Sequence, residues 1–189
     1  MGHPLEKHLF CPLCGSSSFH TASFKSRKCG NCGFEMFMNP SSACVAVIVK
    51  DGALLAVRRK YPPAEGTLDL PGGFADIGET AEESVSRELL EETGLKAESI
   101  HYLFSLPNLY HYSGIDIPTQ DLFFACTVAD TAALSAHDDA SECLWIPLAQ
   151  VRPLDFGLQS VRRGVERFLS APHFADGQPF SDGQEGQKT

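Results

Sequence analysis

The sequence has no long apolar run and no recognisable targeting segment. No stretch of its 189 residues approaches the roughly 18 apolar residues that a membrane-spanning helix needs. No apolar segment of the secretory type follows residues 1–6, and the Ser or Thr of a myristoylation signal is missing there. These absences argue against a membrane protein and predict a cytoplasmic one.

Positive charge is also scarce. Lys and Arg number 15 against 24 Asp and Glu, so the formal net charge is -9. Because an acidic chain repels polyanions at long range, we expect no nucleic-acid partner. Small anionic substrates stay possible where a bound metal ion and local arginines reverse the field at a site.

Composition divides the chain into three regions. Residues 1–38 are rich in Cys, Gly, Ser, Lys and aromatics, and residues 39–170 alternate strand-like apolar runs with two helical patterns. Residues 171–189 are rich in Gly, Gln, Asp and Pro and lack apolar periodicity. We therefore expect a small N-terminal domain, one main domain and a flexible C-terminal tail.

The middle region predicts a mixed α/β domain. The continuous apolar run 44–49 suits a strand buried on both faces. Further predicted strands are 53–57, 68–70, 100–106, 122–128 and 142–146. Thr80 and Glu83 form a capping-box pattern that begins a helix, and Gly94 ends it. A second helix has apolar residues at helical spacing within 158–169.

Four of the seven cysteines form two CxxC pairs, each followed by a glycine and separated by 14 residues. The four are Cys11, Cys14, Cys29 and Cys32. Four thiolates suit a tetrahedral Zn²⁺ ion. Disulfides and redox-active pairs are the alternatives, but two paired knuckles in a cytoplasmic-looking chain favour structural zinc. A region this short would depend on the metal for its folding free energy.

Three glutamates share one face of the first predicted helix. Glu88, Glu91 and Glu92 stand at positions i, i+3 and i+4. Like charges so placed destabilise a bare helix, whereas a hard divalent cation such as Mg²⁺ or Mn²⁺ would reverse that effect. Arg87 lies between them and could pair with Glu83 or Glu91. The alternative is a solvated acidic face with ordinary ion pairs.

Residues 73–95 resemble the Nudix box, G-x5-E-x7-R-E-U-x-E-E-x-G-U, in which U is a bulky aliphatic residue. All the fixed positions match, and Pro71-Gly72 fits the usual lead-in. The matching residues are Gly73, Glu79, Arg87, Glu88, Leu89, Glu91, Glu92, Gly94 and Leu95. A match of this length favours a metal site over a solvated helix face.

The resemblance implies an α/β/α sandwich with a mixed sheet, which hydrolyses nucleoside diphosphates linked to another moiety. It implies that Mg²⁺ or Mn²⁺ is bound by Glu88, Glu91 and Glu92, with the Gly72 carbonyl as a further candidate ligand. Arg87 would orient the glutamates. We favour Glu88 as the general base that takes a proton from water.

The resemblance extends to three residues outside the glutamate face. Glu79 resembles a structural or outer-shell residue of the box. Glu142 resembles a further metal-binding or basic glutamate of several Nudix enzymes, the alternative being an exposed strand-edge acid. Arg58 resembles a common Nudix arginine that faces the substrate phosphates. Arg59 and Lys60 are expected to be solvated.

Residues 11–150 resemble the NADH pyrophosphatase branch, which couples a zinc ribbon to a Nudix domain and usually forms homodimers. That branch carries a Ser-Gln-Pro-Trp signature after the box. Ser105 and Pro107 are present here, but the Gln and Trp are not. The resemblance therefore predicts a zinc ribbon over residues 1–38, a Nudix domain over 39–170 and a homodimer, without specifying NADH as the substrate.

We expect residues 107–120 to form a long loop that shapes specificity. Tyr110 and Tyr112 could stack on a base, and Asn108 could hydrogen-bond to it. The alternative is a turn whose aromatic side chains pack on the domain or on a dimer partner.

The predicted function is metal-dependent hydrolysis of the pyrophosphate linkage in an ADP-ribose-like or NADH-like substrate, giving two monophosphates. One alternative is a nucleoside-triphosphate pyrophosphohydrolase. Another is a non-catalytic nucleotide-sensing module, in which the basic residues Lys25, Arg27 and Lys28 would contact a partner or RNA. The intact box favours an enzyme.

Overall fold

The computed structural model describes residues 2–171, and the chain divides into two compact units. Unit 1 contains Met1–Ser41 and Pro107–Gln120, and unit 2 contains Ser42–Leu106 and Asp121–Thr189. The predicted flexible tail lies outside the described residues except for Ala171. No helix within the described range is long and apolar enough to cross a membrane.

Unit 1 contains a three-stranded antiparallel sheet in the order β1-β2-β3. Its strands are β1 (Phe19–Ser23), β2 (Ser26–Cys29) and β3 (Glu35–Phe37). Cys11, Phe19 and Cys29 form a small buried core against which Phe34 and Met36 pack. So small a core buries too little apolar surface to stabilise a domain without a further cross-link or metal.

Residues 107–120 form the end of a hairpin, so the expectation of a long loop was wrong. Strand β9 (Ala97–Tyr112) and strand β10 (Ile115–Val128) are neighbours joined by Ser113 and Gly114. Both turn residues have positive φ, 49° and 76°, as a two-residue type I′ turn requires. Pro107 lies within β9, where proline is tolerated because β9 is an edge strand of its sheet.

The other strands form the sheets of unit 2. One sheet has the order β8-β4-β10-β9, the other has the order β11-β6-β5, and β7 pairs with β6. These strands are β4 (Ser41–Val47), β5 (Val49–Lys50), β6 (Ala53–Arg59), β7 (Leu68–Asp69), β8 (Gly72–Phe74) and β11 (Ala140–Pro147). Asp51 and Gly52, with φ of 51° and 74°, form the predicted tight turn between β5 and β6.

Both predicted helices are present as α1 (Ala81–Thr93) and α2 (Gln159–Leu169). The capping box of α1 is confirmed, since the Thr80 hydroxyl accepts from the Glu83 N–H and the Glu83 carboxylate accepts from the Thr80 N–H. Gly94 ends α1 in the left-handed conformation, with φ of 73°. Short 3-10 turns at Leu148–Gln150 and Pro153–Asp155 precede α2.

Strand β4 is buried on both faces, as its continuous apolar run predicted. Val45 and Val47 belong to the core cluster that includes the apolar face of α2. The alternate residues of β4 belong to the cluster that includes Val85 and Leu89 of α1. Helices therefore cover both sides of the β layer, which agrees with the predicted α/β/α sandwich. Burying Val85 and Leu89 contributes about 1.5–3 kcal/mol each and fixes which face of α1 stays available for chemistry.

Candidate active site

The packing of helix α1 determines where its glutamates lie. Val85, Leu89 and Glu92 are all buried, because positions i, i+4 and i+7 fall on one side of a helix. Glu88 is only partly buried, whereas Glu91 is exposed. The three predicted ligands therefore differ in exposure: Glu92 is buried, Glu88 is partly buried and Glu91 faces solvent.

Arg87 organises the open side of this face. Its Nε and Nη2 donate to the two carboxylate oxygens of Glu79 at 2.7 and 2.9 Å. Its Nη1 donates to Glu88 at 2.8 Å and to Glu91 at 3.0 Å, and Nη2 also donates to the Phe74 carbonyl at 3.0 Å. A planar guanidinium can serve several acceptors at fixed angles, which the single ammonium of lysine cannot do.

Glu79 is the firmest partner of Arg87. Its bidentate hydrogen bond with Arg87, followed by the backbone N–H of Asp76, lowers the pKa of the Glu79 carboxyl to about 2. Glu79 in turn makes the largest contribution to raising the pKa of Arg87. Glu79 therefore stays ionised and holds Arg87 in place. This contact supports the outer-shell role that the resemblance implied for Glu79.

Glu92 is the most deeply buried of the three acids, with 7% of its surface exposed. One of its carboxylate oxygens accepts a hydrogen bond from the Gly72 N–H at 3.0 Å. Burial raises the pKa of Glu92 to about 8 against the effect of that hydrogen bond, and the negative charges of Asp69 and Glu88 raise it further. Burial also raises the pKa of Glu88, which Arg87 opposes. A nearby cation would therefore stabilise the ionised form of both carboxyl groups.

Two glycines of β8 make close contacts that a side chain would block, one with a carboxylate and one with the backbone of β4. A Cβ added to Gly73 would collide with the Glu88 carboxylate, and one added to Gly72 would collide with the Cys44 carbonyl. At Gly73 the backbone of β8 thus approaches Glu88 more closely than any residue with a side chain could. Carboxylate and carbonyl oxygens are the donor set that Mg²⁺ and Mn²⁺ prefer.

The carboxylates are not gathered around a single point. Among residues 2–171, the cysteine group is the one set of three or more His, Cys, Asp or Glu whose ligand atoms all lie within 4.8 Å of one another. Arg87 engages Glu88 and Glu91, while Gly72 engages Glu92. The donor set fits a divalent cation in its chemistry, and binding would require these hydrogen bonds to be partly exchanged for ligand bonds.

Arg58 and Glu142 form an ion pair with each other. They are register partners on β6 and β11, and Arg58 Nε donates to Glu142 Oε2 at 2.9 Å. Their side chains are 39% and 49% exposed, so the pair contributes only about 0–1 kcal/mol. Its opening to free either group for phosphate or metal would therefore require little free energy.

Arg59 was expected to be solvated, and that expectation was wrong. Its Nη1 forms a 2.6 Å ion pair with Asp69, and its Nε donates to the Pro63 carbonyl. The other Asp69 oxygen accepts from the Leu70 N–H at 2.9 Å. The pair thus fixes the backbone just before Gly72. The sequence did carry a signal for it, because Asp69 stands alone between Leu68 and Leu70 in an apolar strand.

The four cysteines of unit 1 form a closed cluster. Cys11 Sγ lies 3.7 Å from Cys32 Sγ, and Cys14 Sγ lies 3.6 Å from Cys29 Sγ. Four sulfurs at about 2.3 Å from a tetrahedral Zn²⁺ would be roughly 3.8 Å apart. The backbone N–H of Cys32 is the main cause that lowers the pKa of Cys29, to about 6. The cluster could hold a metal ion, with no position left open for substrate.

Each cysteine pair folds in the same way. After the first pair, Gly15 donates to the Cys11 carbonyl at 2.9 Å, and after the second, Gly33 donates to the Cys29 carbonyl at 3.0 Å. Both glycines have positive φ, 71° and 77°, which side chains disfavour. The two CxxC-Gly turns are therefore built alike, as their shared sequence pattern predicted.

The three predicted base-binding residues lie on β9 within unit 1. Asn108, Tyr110 and Tyr112 alternate along the strand and so point to one face of it. The rings of Tyr110 and Tyr112 stack with their centroids 6.3 Å apart. The glutamates, Arg58 and Glu142 belong to unit 2.

Comparison with known proteins decides the family. Residues 38–168 match the NUDIX domain. The chain belongs to the Nudix hydrolase family. The Nudix match contains the whole glutamate helix and begins after the cysteine cluster. The predicted family, fold and enzyme class are thereby confirmed.

Two relatives of this chain are named for different activities. An ADP-ribose pyrophosphatase from Methanocaldococcus jannaschii is 32% identical over 71% of this chain and 78% of its own length. The NAD-capped RNA hydrolase NudC from Haemophilus influenzae is 29% identical over 57% of this chain. The match covers only 41% of NudC.

Solved Nudix structures agree with the fold. A Nudix hydrolase from Nitrosomonas europaea superposes with a TM-score of 0.69 over 90% of this chain and 94% of its own, at 20% identity. The Nudix domain of NrtR from Shewanella oneidensis, solved with ADP-ribose, gives a TM-score of 0.56 at 25% identity, covering 69% of this chain and 87% of its own.

Proposed function

We propose that this Nudix hydrolase cleaves the pyrophosphate linkage of a nucleoside-diphosphate derivative, with ADP-ribose or an NADH-like dinucleotide as the substrate class. The products would be two monophosphates. The observation that carries the proposal is the glutamate face of α1, ordered by Arg87 and closely approached by Gly72 and Gly73.

Glu88, Glu91, Glu92 and the Gly72 carbonyl are proposed to hold Mg²⁺ or Mn²⁺. The chemistry supplied by a bound cation would be neutralisation of the diphosphate, polarisation of phosphorus and a lower pKa for bound water. Arg87 keeps Glu88 and Glu91 on the same side of the helix, because one nitrogen serves both carboxylates. Without Arg87, two like charges on one face would separate towards solvent.

Glu88 is proposed as the general base. In the reaction a bond forms between the water oxygen and one phosphorus, and the bond from that phosphorus to the bridging oxygen breaks. A carboxylate must take the proton from the water. Glu88 suits this role because partial burial raises its pKa while its carboxylate still lies at the surface of the helix.

Arg58 and Glu142, which belong to unit 2 like the glutamates, complete the proposed site. Opening of the weak Arg58–Glu142 pair would free Arg58 for a substrate phosphate and Glu142 for the cation. Asn108, Tyr110 and Tyr112 belong to unit 1, and base binding by them stays a prediction from the sequence, supported only by flat aromatic rings that suit a flat base.

The choice of substrate rests on the relatives. One of them is named an ADP-ribose pyrophosphatase and is matched over most of its length, and the NrtR domain was solved with ADP-ribose. Both concern nucleotides joined through a diphosphate. They favour this substrate class over nucleoside triphosphates.

The cysteine cluster is proposed to hold structural Zn²⁺, because its sulfur separations of 3.6 and 3.7 Å suit a tetrahedral zinc site. Seven free cysteines suit a reducing compartment, which supports a cytoplasmic location. The resemblance to the zinc-ribbon branch supports a homodimer. Sedimentation of purified protein at two concentrations tests the dimer, and a purely monomeric profile at both would refute it.

The test of the function is a substrate panel. Purified protein with Mg²⁺ is incubated with ADP-ribose, NADH, NAD and a mixture of nucleoside triphosphates, and the products are identified by mass spectrometry. We expect AMP from ADP-ribose or NADH. Pyrophosphate with a nucleoside monophosphate would instead indicate the triphosphate reaction. No product with either Mg²⁺ or Mn²⁺ would overturn the proposal in favour of a nucleotide-binding module.

A further inference from the structure

Unit 1 contains a cavity of about 610 Å³ that is partly open to solvent, a size typical of small-molecule sites. All the residues that line it belong to unit 1. One wall is formed by N-terminal residues, another by Phe24 and Lys25 at the β1–β2 turn, and a third by the hairpin end near Gly114. None of the glutamates of α1 contributes to it.

Two ammonium groups of this cavity lack a carboxylate partner. Lys7 Nζ donates to the Gly114 carbonyl at 2.7 Å, and Lys25 Nζ donates to the Asn39 side-chain carbonyl at 3.2 Å. Within residues 2–171, no ion pair includes either lysine. In a chain of net charge -9, two ammonium groups with only neutral partners form a local site for an anion.

The lining also contains two acids, so its two ammonium and two carboxylate charges balance formally. Asp116 is engaged by the ring of His111 at 2.8 Å, and Glu6 is the other acid in the lining. The histidines of the cavity add further ring nitrogens, of which His8 Nδ1 is buried without a hydrogen-bond partner.

The remaining lining is apolar and contains a free aromatic ring. Phe24 is 83% exposed, and Met38, Leu109 and Ile115 lie around the same cavity. An open phenyl ring beside aliphatic walls suits a flat heterocycle, which can stack on the phenyl ring and pack against the aliphatic side chains. The cavity therefore combines a place for an anionic group with a place for a flat apolar one.

The N-terminal wall is held in place by Arg27. Its Nη1 donates to the carbonyls of Leu5 and His8 at 3.1 and 2.8 Å, its Nη2 donates to the Phe19 carbonyl, and the guanidinium lies over the Phe19 ring. Arg27 is therefore occupied inside unit 1, and the expected basic patch does not include it as a free group. The wall that carries Lys7 is fixed before any ligand arrives, which reduces the ordering entropy of binding.

We propose that this cavity is a second nucleotide site, which binds a nucleoside monophosphate. The phosphate lies between Lys7 and Lys25, and the base stacks on Phe24. A long nucleic acid is disfavoured by the net charge of the chain, so the ligand is a free nucleotide. The choice of AMP as the probe rests on the proposed function, since AMP is the expected product.

The test is a titration of the full ¹⁵N-labelled chain with AMP, without added divalent cation, followed by amide chemical shifts. We expect saturable shifts at Lys7, Lys25 and Gly114. Adenosine and inorganic phosphate, titrated separately, should each bind at least about tenfold more weakly, because each offers only half of the complementary chemistry. Equal binding of phosphate and AMP, or shifts confined to α1, would overturn the proposal.

Variants sharpen this test. Lys7→Ala with Lys25→Ala, and separately Phe24→Ala, should weaken AMP binding at least about tenfold, while Lys28→Ala, an exposed lysine of the same sheet outside the cavity, should not. Unchanged binding in the first two variants would refute the site. Glu92→Gln should bind AMP here normally, so a failure of catalysis and a failure of this site give different results.

Discussion

The cysteine cluster and the glutamate face both present candidate ligand atoms for a metal ion. Only the cysteine cluster brings its ligand atoms close together without one. Thiols are neutral when protonated, so two glycine-terminated turns bring four sulfurs within 4.8 Å of one another. Carboxylates are charged, so Arg87 and Gly72 must hold them individually. The first arrangement is closed and suits a structural ion. The second is open and suits an ion that must also contact substrate.

The largest effect is expected from the closed site. In Cys14→Ser, bound zinc should fall from about one equivalent per chain to nearly none, since structural zinc contributes on the order of 10 kcal/mol to folding. Elemental analysis measures the zinc, and amide exchange should show that β1–β3 lose protection while α1 keeps it. Cys143→Ser, a thiol outside the cluster, is the control. A Cys14→Ser protein with full zinc would remove the contrast between the two sites.

A substitution in the glutamate face should reduce activity without disrupting the fold. Glu92→Gln keeps an oxygen for the Gly72 N–H but removes the negative charge, so turnover should fall about 1,000-fold, or ~4 kcal/mol in transition-state stabilisation. AMP release from ADP-ribose with Mg²⁺ measures it. Glu82→Gln, an exposed acid on the same helix, should keep full activity. Undiminished turnover in Glu92→Gln would sink the metal-site assignment.

A substitution of Arg87 tests whether this residue positions the glutamates or only balances their charge. Arg87→Lys keeps the positive charge but loses the fork that serves Glu79, Glu88 and Glu91 together. We expect a loss of about 10–100-fold in kcat/KM, as is typical when a residue that orients metal ligands is replaced, and a higher Mg²⁺ requirement. Arg163→Lys on α2 is the matched control. Equal activity of Arg87→Lys and the parent protein would mean that only charge matters.

A pair of glycine substitutions compares the two sites directly. Gly73→Ala places a methyl group against the movable Glu88 carboxylate, so activity should fall about tenfold or ~1.4 kcal/mol with little change in unfolding temperature. Gly33→Ala meets no neighbour but has φ of 77°, so it should destabilise unit 1 by about 1 kcal/mol. The reverse pattern, with Gly73→Ala unstable and fully active, would contradict the proposed role of the close backbone approach.

The smallest effect concerns Glu79 and pH. Because its folded pKa is about 2 against an ordinary value of 4.5, its stabilising contribution is present above about pH 4.5 and is lost as the pH falls towards 2. The difference in unfolding temperature between the parent protein and Glu79→Gln should therefore shrink between pH 5 and pH 3. A constant difference over that interval would show that Arg87 does not stabilise the Glu79 charge.

Sequence reasoning succeeded where the determinants are local. The capping box of Thr80 and Glu83, the stop at Gly94 and the two cysteine turns each depend on residues a few positions apart. The Nudix match was likewise readable, because its fixed positions lie on one helix and the loop before it.

Sequence reasoning failed where the determinants are distant in the chain. The Arg59–Asp69 pair and the internal contacts of Arg27 required knowing which backbone groups fold over each guanidinium. The hairpin at 107–120 was missed, because pairing of β9 with β10 depends on residues up to 31 positions apart, from Ala97 to Val128. The spacing of the three glutamates also did not reveal that Arg87 contacts Glu88 and Glu91 while Gly72 contacts Glu92.

Unit 1 is discontinuous, and this affects the order in which it can be assembled during synthesis. Its first part ends at Ser41 and its second begins at Pro107, so ribosomes working at about 5–20 residues per second take several seconds to translate the stretch between them. All four cysteines of the ribbon are thus synthesised before the hairpin that completes unit 1. The proposed zinc could be loaded before the unit is complete, and the hairpin would then dock as a late-arriving piece of the same chain.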